Sequence, residues 1–168
     1  MGIVAHCLVK NEEDFIWFTI NSVIDYVDEV LVWDNGSSDT TIDIIKSIKN
    51  PKISFKSVPG IPMENLRQKM VDETKTDWIL ILDGDEIWYE NAISNLKFTI
   101  SNCKPEITAV VVPNYMLIGD MYHYQEEKAG KYYFDGHSGH MNIRATNRRI
   151  KGLSFKKPHG QLGLFDDK

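Results

Sequence analysis

Apolar residues along the chain fall into two patterns: short unbroken runs, and positions spaced three and four residues apart. The runs predict β-strands at residues 3–9, 30–33, 53–58, 78–82 and 109–112. The run at 53–58 alternates apolar and polar residues, which is typical of an edge strand. The runs at 78–82 and 109–112 are apolar throughout and predict strands buried on both faces.

Helical spacing fills the intervals between these runs. The first helix follows Asn11, which we expect to be its N-cap with Asp14 as a capping-box partner. The second follows a cap at Ser38 or Asp39, and the third ends near residue 75. Helices that alternate with strands predict an α/β fold with a mainly parallel central sheet. The apolar faces are Ile16, Ile20, Val23, Ile24 and Val27; Ile42, Ile45 and Ile48; Leu66 and Met70; and Ile93, Leu96 and Ile100.

The pattern changes after Pro113. Residues 115–140 are aromatic, polar and glycine-containing, with no clear period. A long irregular segment in a compact domain is usually functional or mobile. The alternative is an irregular strand pair whose tyrosines cover the core. Short strands are expected around Ile143 and over residues 150–155, and none after residue 156.

Length and charge narrow the class of protein. The 168 residues predict one domain, and the net charge of −5 argues against a nucleic-acid partner. The hydrophobic fraction of 42% is sufficient for a core. No apolar run is long enough to span a membrane, and we expect no secretory signal at the N-terminus. Two cysteines without a disulfide pattern predict a reduced, cytoplasmic protein.

The sharpest chemical signal is a group of acids after the run at 78–82. Asp83, Asp85 and Glu86 lie within four residues and would repel one another at close range. A divalent cation would remove that repulsion, and carboxylate oxygens suit Mg²⁺ or Mn²⁺. The alternative is a hairpin turn at Asp83-Gly84, but the sequence that follows reads as a helix rather than a returning strand.

Three motifs together resemble those of glycosyltransferase family 2, which has the GT-A fold. They are Asn11-Glu12-Glu13 after the first strand, the loop Asp34-Asn35-Gly36-Ser37-Ser38-Asp39-Thr40-Thr41 after the second, and Asp83-Gly84-Asp85. The resemblance covers residues 3–112. No dinucleotide-binding G-x-G-x-x-G, P-loop or G-x-S-x-G motif competes with it.

The resemblance implies an inverting, metal-dependent transferase with a nucleotide-sugar donor, UDP-sugar by preference. The acceptor would be a glycan, a lipid-linked sugar or another hydroxyl, and the process would be cell-envelope polysaccharide synthesis. Residues 1–112 would form the nucleotide-sugar half and 113–168 the acceptor half of one domain. We leave contact with a membrane surface open. The implied nucleotide-binding residues are Ala5, Cys7, Asn11, Asp34, Asn35, Arg67 and Asp83.

The same resemblance also implies which residues hold the metal and which act as the general base. Asp83 and Asp85 would hold the metal, with Asp85 counted as catalytic because the metal neutralises the leaving diphosphate. The candidate bases for the acceptor hydroxyl are Asp120, Glu126, Glu127 and Asp135, with His137 and His140 as candidate helpers. His159, in a segment similar to one in lipopolysaccharide-core sugar transferases, is a candidate third metal ligand. The chain is short for this family, so a base beyond Lys168 stays open.

Two other classes of protein remain as alternatives. A phosphohydrolase of the haloacid dehalogenase type also carries D-x-D after an apolar strand, but near its N-terminus. A non-catalytic module that binds nucleotide sugars or carbohydrates would keep the aromatic segment without a base.

Overall fold

The computed structural model describes residues 1–130, 132–134 and 136–155. The helices are α1 (Ile16–Val23), α2 (Thr41–Ser47), α3 (Met63–Glu73) and α4 (Glu90–Asn102), with a 3-10 turn at Glu127–Ala129. The strands are β1 (Ile3–Val9), β2 (Glu29–Asp34), β3 (Ile53–Ser57), β4 (Trp78–Asp83), β5 (Ala109–Pro113), β6 (Leu117–Ile118), β7 (Asp120–Tyr124), β8 (Tyr132–Phe134), β9 (His137–Gly139) and β10 (Met141–Asn147).

Six strands form the central sheet, in the order β3-β2-β1-β4-β10-β5. The first four are mutually parallel, whereas β10 is antiparallel to both β4 and β5. The predicted mainly parallel α/β sheet is therefore confirmed. The prediction that 109–112 is buried on both faces is wrong, because β10 lies between β4 and β5 and leaves β5 half-buried at the edge.

The alternation of side chains along β1 assigns the helices to the two faces of the sheet. Ala5 and Cys7 pack in the cluster that contains the buried residues of α1, α2 and α4. Val4 and Leu8 pack instead with Leu66 and other buried residues of α3. All seven residues of β1 are buried, as expected of a parallel strand covered on both faces.

The first helix begins later than the sequence predicted. Asn11 is not its N-cap: helix α1 starts at Ile16, and Asn11 has a left-handed backbone with φ 56°. Asparagine tolerates this conformation better than most residues because its side chain bonds locally. The predicted cap of the second helix at Ser38 or Asp39 is also wrong, because the N-cap of α2 is Thr40. Asp39 lies one residue earlier, where its Oδ1 accepts a hydrogen bond from the Thr41 N–H at 3.0 Å.

The aromatic segment is more regular than predicted, and its described tyrosines do not cover the core. It forms two antiparallel strand pairs, β6 with β7 and β8 with β9. Tyr115, Tyr122 and Tyr124 are exposed, which contradicts the alternative in which tyrosines cover the core. Ile143 lies in β10 as expected, whereas residues 150–155 contain a turn at 151–152 and an isolated bridge at Ser154 rather than a strand. Asp135 and His159 lie outside the described residues.

In the described part of the chain, no helix combines the length and the apolar character that a membrane crossing needs.

Candidate functional site

The strand register brings three polar strand ends together at one edge of the sheet. Val9 of β1 pairs with Asp34 of β2, and Leu8 pairs with Asp83 of β4. The carboxyl ends of three neighbouring parallel strands therefore stop within about one residue of one another. Ligands of open α/β sheets bind at such an edge. The loops that follow Val9, Asp34 and Asp83 form the candidate site.

Asn11 joins the first of these loops to the second. Its side-chain oxygen accepts a hydrogen bond from the Ser38 N–H at 2.8 Å, and its own N–H donates to Ser37 Oγ at 2.9 Å. The predicted role of Asn11 in nucleotide binding stays a prediction. In the structure these two hydrogen bonds connect the loop after β1 to the loop after β2, and we call this connection the Asn11 latch.

Glu12 and Glu13 extend the same latch. The Glu12 N–H donates to Thr41 Oγ1 at 2.8 Å. The Glu13 carboxylate accepts from both the N–H and the hydroxyl of Thr40, at 2.9 and 2.6 Å. Much of the polar character of these two motifs therefore serves to fix one loop against the other.

Asp34 and Asn35 differ in what their side chains do. The Asp34 carboxylate is buried and accepts hydrogen bonds from the N–H groups of Gly36 and Ser37 at 3.0 and 3.2 Å. Asp34 thus shapes the loop. The Asn35 Oδ1 is buried and has no hydrogen-bond partner among the described residues. A buried acceptor without a partner is costly and marks Asn35 as the member of the pair with free bonding capacity.

Asp83 is held by two arginines. Arg67 Nη2 donates to its Oδ1 at 2.9 Å, and Arg144 Nη1 donates to its Oδ2 at 3.0 Å. Burial raises the pKa of Asp83, but the two guanidinium charges outweigh burial and hold the pKa below its usual value. Arg67, predicted to bind the nucleotide, is itself buried and bonded to this carboxylate.

Three further acids near Asp83 are in different environments. Glu86 forms an ion pair with Arg144, yet burial raises its pKa to about 7. Glu12 also has a raised pKa, first through burial and then through the charges of Asp85, Asp39 and Asp83. The Asp85 side chain is exposed and has no salt-bridge partner within the described ranges. Asp85 is therefore the free carboxylate of the motif.

Gly84 allows the first and third loops to pack closely. A Cβ on Gly84 would lie 2.7 Å from Glu12 Cγ and 3.1 Å from Val9 Cγ1. Its carbonyl accepts a hydrogen bond from Thr19 Oγ1 of α1 at 2.8 Å. The central position of the D-x-D motif therefore has little room for a side chain, which explains why glycine occupies it.

The acids at this edge have the chemistry to hold a hard divalent cation together with the phosphates of a ligand. Among the described residues, no three His, Cys, Asp or Glu side chains converge as a complete metal site. Mg²⁺ and similar ions are commonly held by one or two carboxylates together with substrate phosphates. An exposed Asp85 beside further acids, at the edge where ligands bind, has the chemistry for this arrangement.

The remaining predicted residues lie in varied places. Ala5 and Cys7 are fully buried in the middle of β1, where burial raises the pKa of the Cys7 thiol far above its usual value. Asp120 is exposed on β7 and accepts hydrogen bonds from the Tyr122 N–H and from His123 Nδ1, both at 2.8 Å. These bonds hold the pKa of Asp120 below its usual value. The roles of Asp135 and His159 are untested.

Sequence reasoning missed Arg144. It lies 61 residues from Asp83, on a strand predicted only as a short late element, and no local motif marks it. Its position becomes meaningful only when β10 inserts beside β4.

Solved structures share the fold of this chain. One is TarS 1-349 of S. aureus in complex with UDP, which is 18% identical, with a TM-score of 0.55, over 69% of this chain and 36% of that one. Another is glucosyl-3-phosphoglycerate synthase from Mycobacterium tuberculosis in complex with Mn²⁺ and UDP-glucose, with 22% identity, a TM-score of 0.53, and coverage of 67% and 42%. The fold is therefore GT-A, as the motifs predicted.

The family model named glycosyl transferase family 2 matches residues 8–163, so the chain belongs to that family. It is 41% identical over 86 residues to an uncharacterized glycosyltransferase of Rickettsia bellii, covering 50% of this chain and 28% of that protein. It is 30% identical over 87 residues to the SPbeta prophage-derived glycosyltransferase SunS of Bacillus subtilis, covering 51% and 20%. The chain thus spans less than a third of these curated relatives. Membership in this family leaves no support for the haloacid dehalogenase alternative.

Proposed function

We propose that this protein transfers a sugar from a UDP-sugar to an acceptor hydroxyl, with inversion at the anomeric carbon and with Mn²⁺ or Mg²⁺. The observation that carries the proposal is the exposed Asp85 carboxylate, which lies at the carboxyl edge of the sheet beside two loops latched together by Asn11. The structures in complex with UDP or UDP-glucose, whose fold this chain shares, support the choice of donor.

The nucleobase would lie against the loop after β2. Asn35 is the residue that offers a hydrogen-bonding group without a partner among the described residues, whereas Asp34 is engaged by its own loop. An amide side chain supplies both a donor and an acceptor, which suits the edge of a uracil. In this proposal Asn35 binds the base, and Asp34 holds Asn35 in place.

The diphosphate would lie toward Asp85. A bound Mn²⁺ or Mg²⁺ would supply charge neutralisation for the departing nucleoside diphosphate. Asp85 would hold the cation, and Asp83 would bind the ribose from the position that Arg67 and Arg144 give it. Mn²⁺ in the mycobacterial synthase supports the choice of a divalent cation.

The acceptor side would be built from the segment after β5. Asp120 is a poor base by itself, because its hydrogen bonds stabilise the ionised form. Its bond to His123 Nδ1 fixes the ring and leaves Nε2 as the atom that would take the proton from an acceptor hydroxyl. Asp135 remains the second candidate base.

Three tyrosines give the acceptor side a surface for sugar rings. Tyr115 lies edge-to-face with Tyr124 at 4.9 Å and with Tyr89 at 6.2 Å between ring centroids. Tyr89 lies four residues after Asp85, and Tyr124 lies in the strand pair β6–β7. The three rings therefore connect that strand pair to the D-x-D loop. All three rings are exposed. A glycan or lipid-linked sugar in cell-envelope synthesis is the acceptor we propose, reached in the cytoplasm or at a membrane surface.

A thermal-shift panel of UDP-, GDP- and dTDP-sugars, each with and without Mn²⁺, tests the proposal. A ligand at 100 times its dissociation constant stabilises the folded state by about 2.7 kcal/mol. Stabilisation by a UDP-sugar only in the presence of Mn²⁺ is expected. No stabilisation by any nucleotide sugar would contradict the proposal, and binding without transfer to any sugar acceptor would favour the non-catalytic module.

A further inference from the structure

Arg144 occupies an irregular position in β10. Ile143 pairs with Val111 and Ala145 with Val110, so Arg144 is the extra residue of a β-bulge opposite β5. Bulges re-aim side chains and are frequent beside active sites. The Arg144 side chain is 12% exposed, which places its charge in a largely buried setting at the end of β4.

The Arg144 guanidinium joins two of the three acids in the loop after β4. Nη1 donates to Asp83 Oδ2 at 3.0 Å, and Nη2 forms the ion pair with Glu86 Oε1. Arg67 holds the other oxygen of Asp83 from helix α3. Neither arginine pairs with Asp85 within the described part of the chain.

We propose that Arg144 is a positioning residue that withholds Asp83 and Glu86 from the cation and leaves Asp85 as its carboxylate ligand. This inference rests on the proposed function, because it assumes a cation at the D-x-D loop. Arg144 and the cation compete for the same negative charge. The competition keeps the site from closing around a bare ion before the nucleotide arrives.

The planar fork of arginine is what this role requires. A guanidinium donates from two nitrogens in a fixed geometry and so can bridge two carboxylates, whereas a lysine ammonium is a point charge on a flexible stem. We therefore expect Arg144→Lys to keep the net charge but lose the simultaneous hold on Asp83 and Glu86.

The test measures Mn²⁺ alone, by electron paramagnetic resonance of the free ion, and UDP with Mn²⁺, by calorimetry. Arg144→Met should bind Mn²⁺ alone about tenfold more tightly, because a positive charge that competes with the cation is removed. It should bind UDP with Mn²⁺ about tenfold more weakly, because Asp83 and Glu86 lose the guanidinium that positions them. Arg144→Lys should move both affinities in the same directions by less. Arg149→Met, which removes an exposed ion pair with Asp77, is the matched control and should change neither.

If Arg144→Met merely disturbed packing, it would weaken the binding of Mn²⁺ alone as well as that of UDP with Mn²⁺. Weaker or unchanged binding of Mn²⁺ alone by the folded variant would therefore overturn the inference. Should that variant fail to fold, Glu86→Gln decides. It should bind Mn²⁺ as wild type does if Arg144 keeps Glu86 from the cation, and loss of Mn²⁺ binding would overturn the inference. Tighter Mn²⁺ binding by Arg144→Met with no UDP binding by wild type would instead reject the proposed donor and keep the role of Arg144.

Discussion

The side-chain oxygen of Asn11 accepts a hydrogen bond from the Ser38 N–H at 2.8 Å, and this bond joins the loop after β1 to the loop after β2. Residues 11 and 38 belong to two different motifs of the family, so part of what those motifs encode is the attachment of one loop to the other.

The Asn11 latch can be tested through stability. Asn11→Ala should lower the free energy of unfolding by about 1–3 kcal/mol, because the Ser38 N–H loses its acceptor and alanine is strained at φ 56°. Asn11→Gly removes the bond but relieves the strain, so it should cost less. Chemical denaturation measures both. The control is Asn21→Ala, an exposed asparagine bonded only within its own helix region, which should have little effect. Equal losses at positions 11 and 21 would contradict the latch.

Asp34 and Asn35 should separate folding from binding. Asp34→Ala removes the acceptor of the Gly36 and Ser37 N–H groups and should lower the melting temperature. Asn35→Ala should leave stability unchanged or raise it, because it deletes a buried oxygen without a described partner, while weakening UDP by about 1–3 kcal/mol. Melting curves and calorimetry give the two readouts. Unchanged UDP affinity in Asn35→Ala would place the base elsewhere.

Gly84 and Glu12 should be energetically coupled. Gly84→Ala places a Cβ 2.7 Å from Glu12 Cγ and should destabilise the fold by about 1–3 kcal/mol, the usual cost of overpacking. Glu12→Ala removes the clashing atom, so the double variant should recover much of that loss. A double-mutant cycle in urea measures the coupling. Strictly additive effects would mean that the close approach is relieved in some other way.

His6 should make stability depend on pH. Burial, followed by the charge of Arg67, lowers its pKa from 6.5 to about 3. Thr74 donates its hydroxyl proton to the Met70 carbonyl, so His6 Nε2 is the donor to Thr74 Oγ1. The lowered pKa keeps the ring neutral at neutral pH.

The sign of this dependence follows from the protons bound in each state. Between pH 3 and 6.5 the unfolded chain binds a proton at His6 that the folded protein does not. Unfolding free energy should therefore fall as pH drops through this window, by up to about 1.4 kcal/mol per pH unit from this group. His6→Gln should show a shallower decline than wild type in the same buffers. Parallel pH profiles would mean that His6 is protonated in the folded state.

The sequence predicted the elements that depend on local pattern and missed those that depend on strand insertion. The runs at 3–9 and 78–82 became central strands because apolar residues that are buried on both faces have few alternatives. The run at 109–112 was mistaken for such a strand, because nothing local signals that β10 returns antiparallel beside β4.

The candidate site divides in the same way. Asp83, Asp85 and the loop after β2 were found from motif and position. From the sequence we expected a cation to relieve the repulsion among the acids, whereas Arg67 and Arg144 already neutralise much of it. Arg144 lies in a β-bulge far along the chain, which no local pattern predicts. Asn11 was found by its motif, but its role as a latch needed the geometry of both loops.

Calorimetric titration of UDP in the presence and absence of Mn²⁺, for wild type and for Asp85→Asn, tests the central claim most directly. Wild type should bind UDP tightly only with Mn²⁺, and Asp85→Asn should lose this tight, metal-dependent binding. The variant should keep or gain stability, because a charge that repels Glu12 is removed. Asp77→Asn, at the opposite end of β4, is the control and should bind as wild type does. Metal-dependent UDP binding by Asp85→Asn equal to that of wild type would contradict the account.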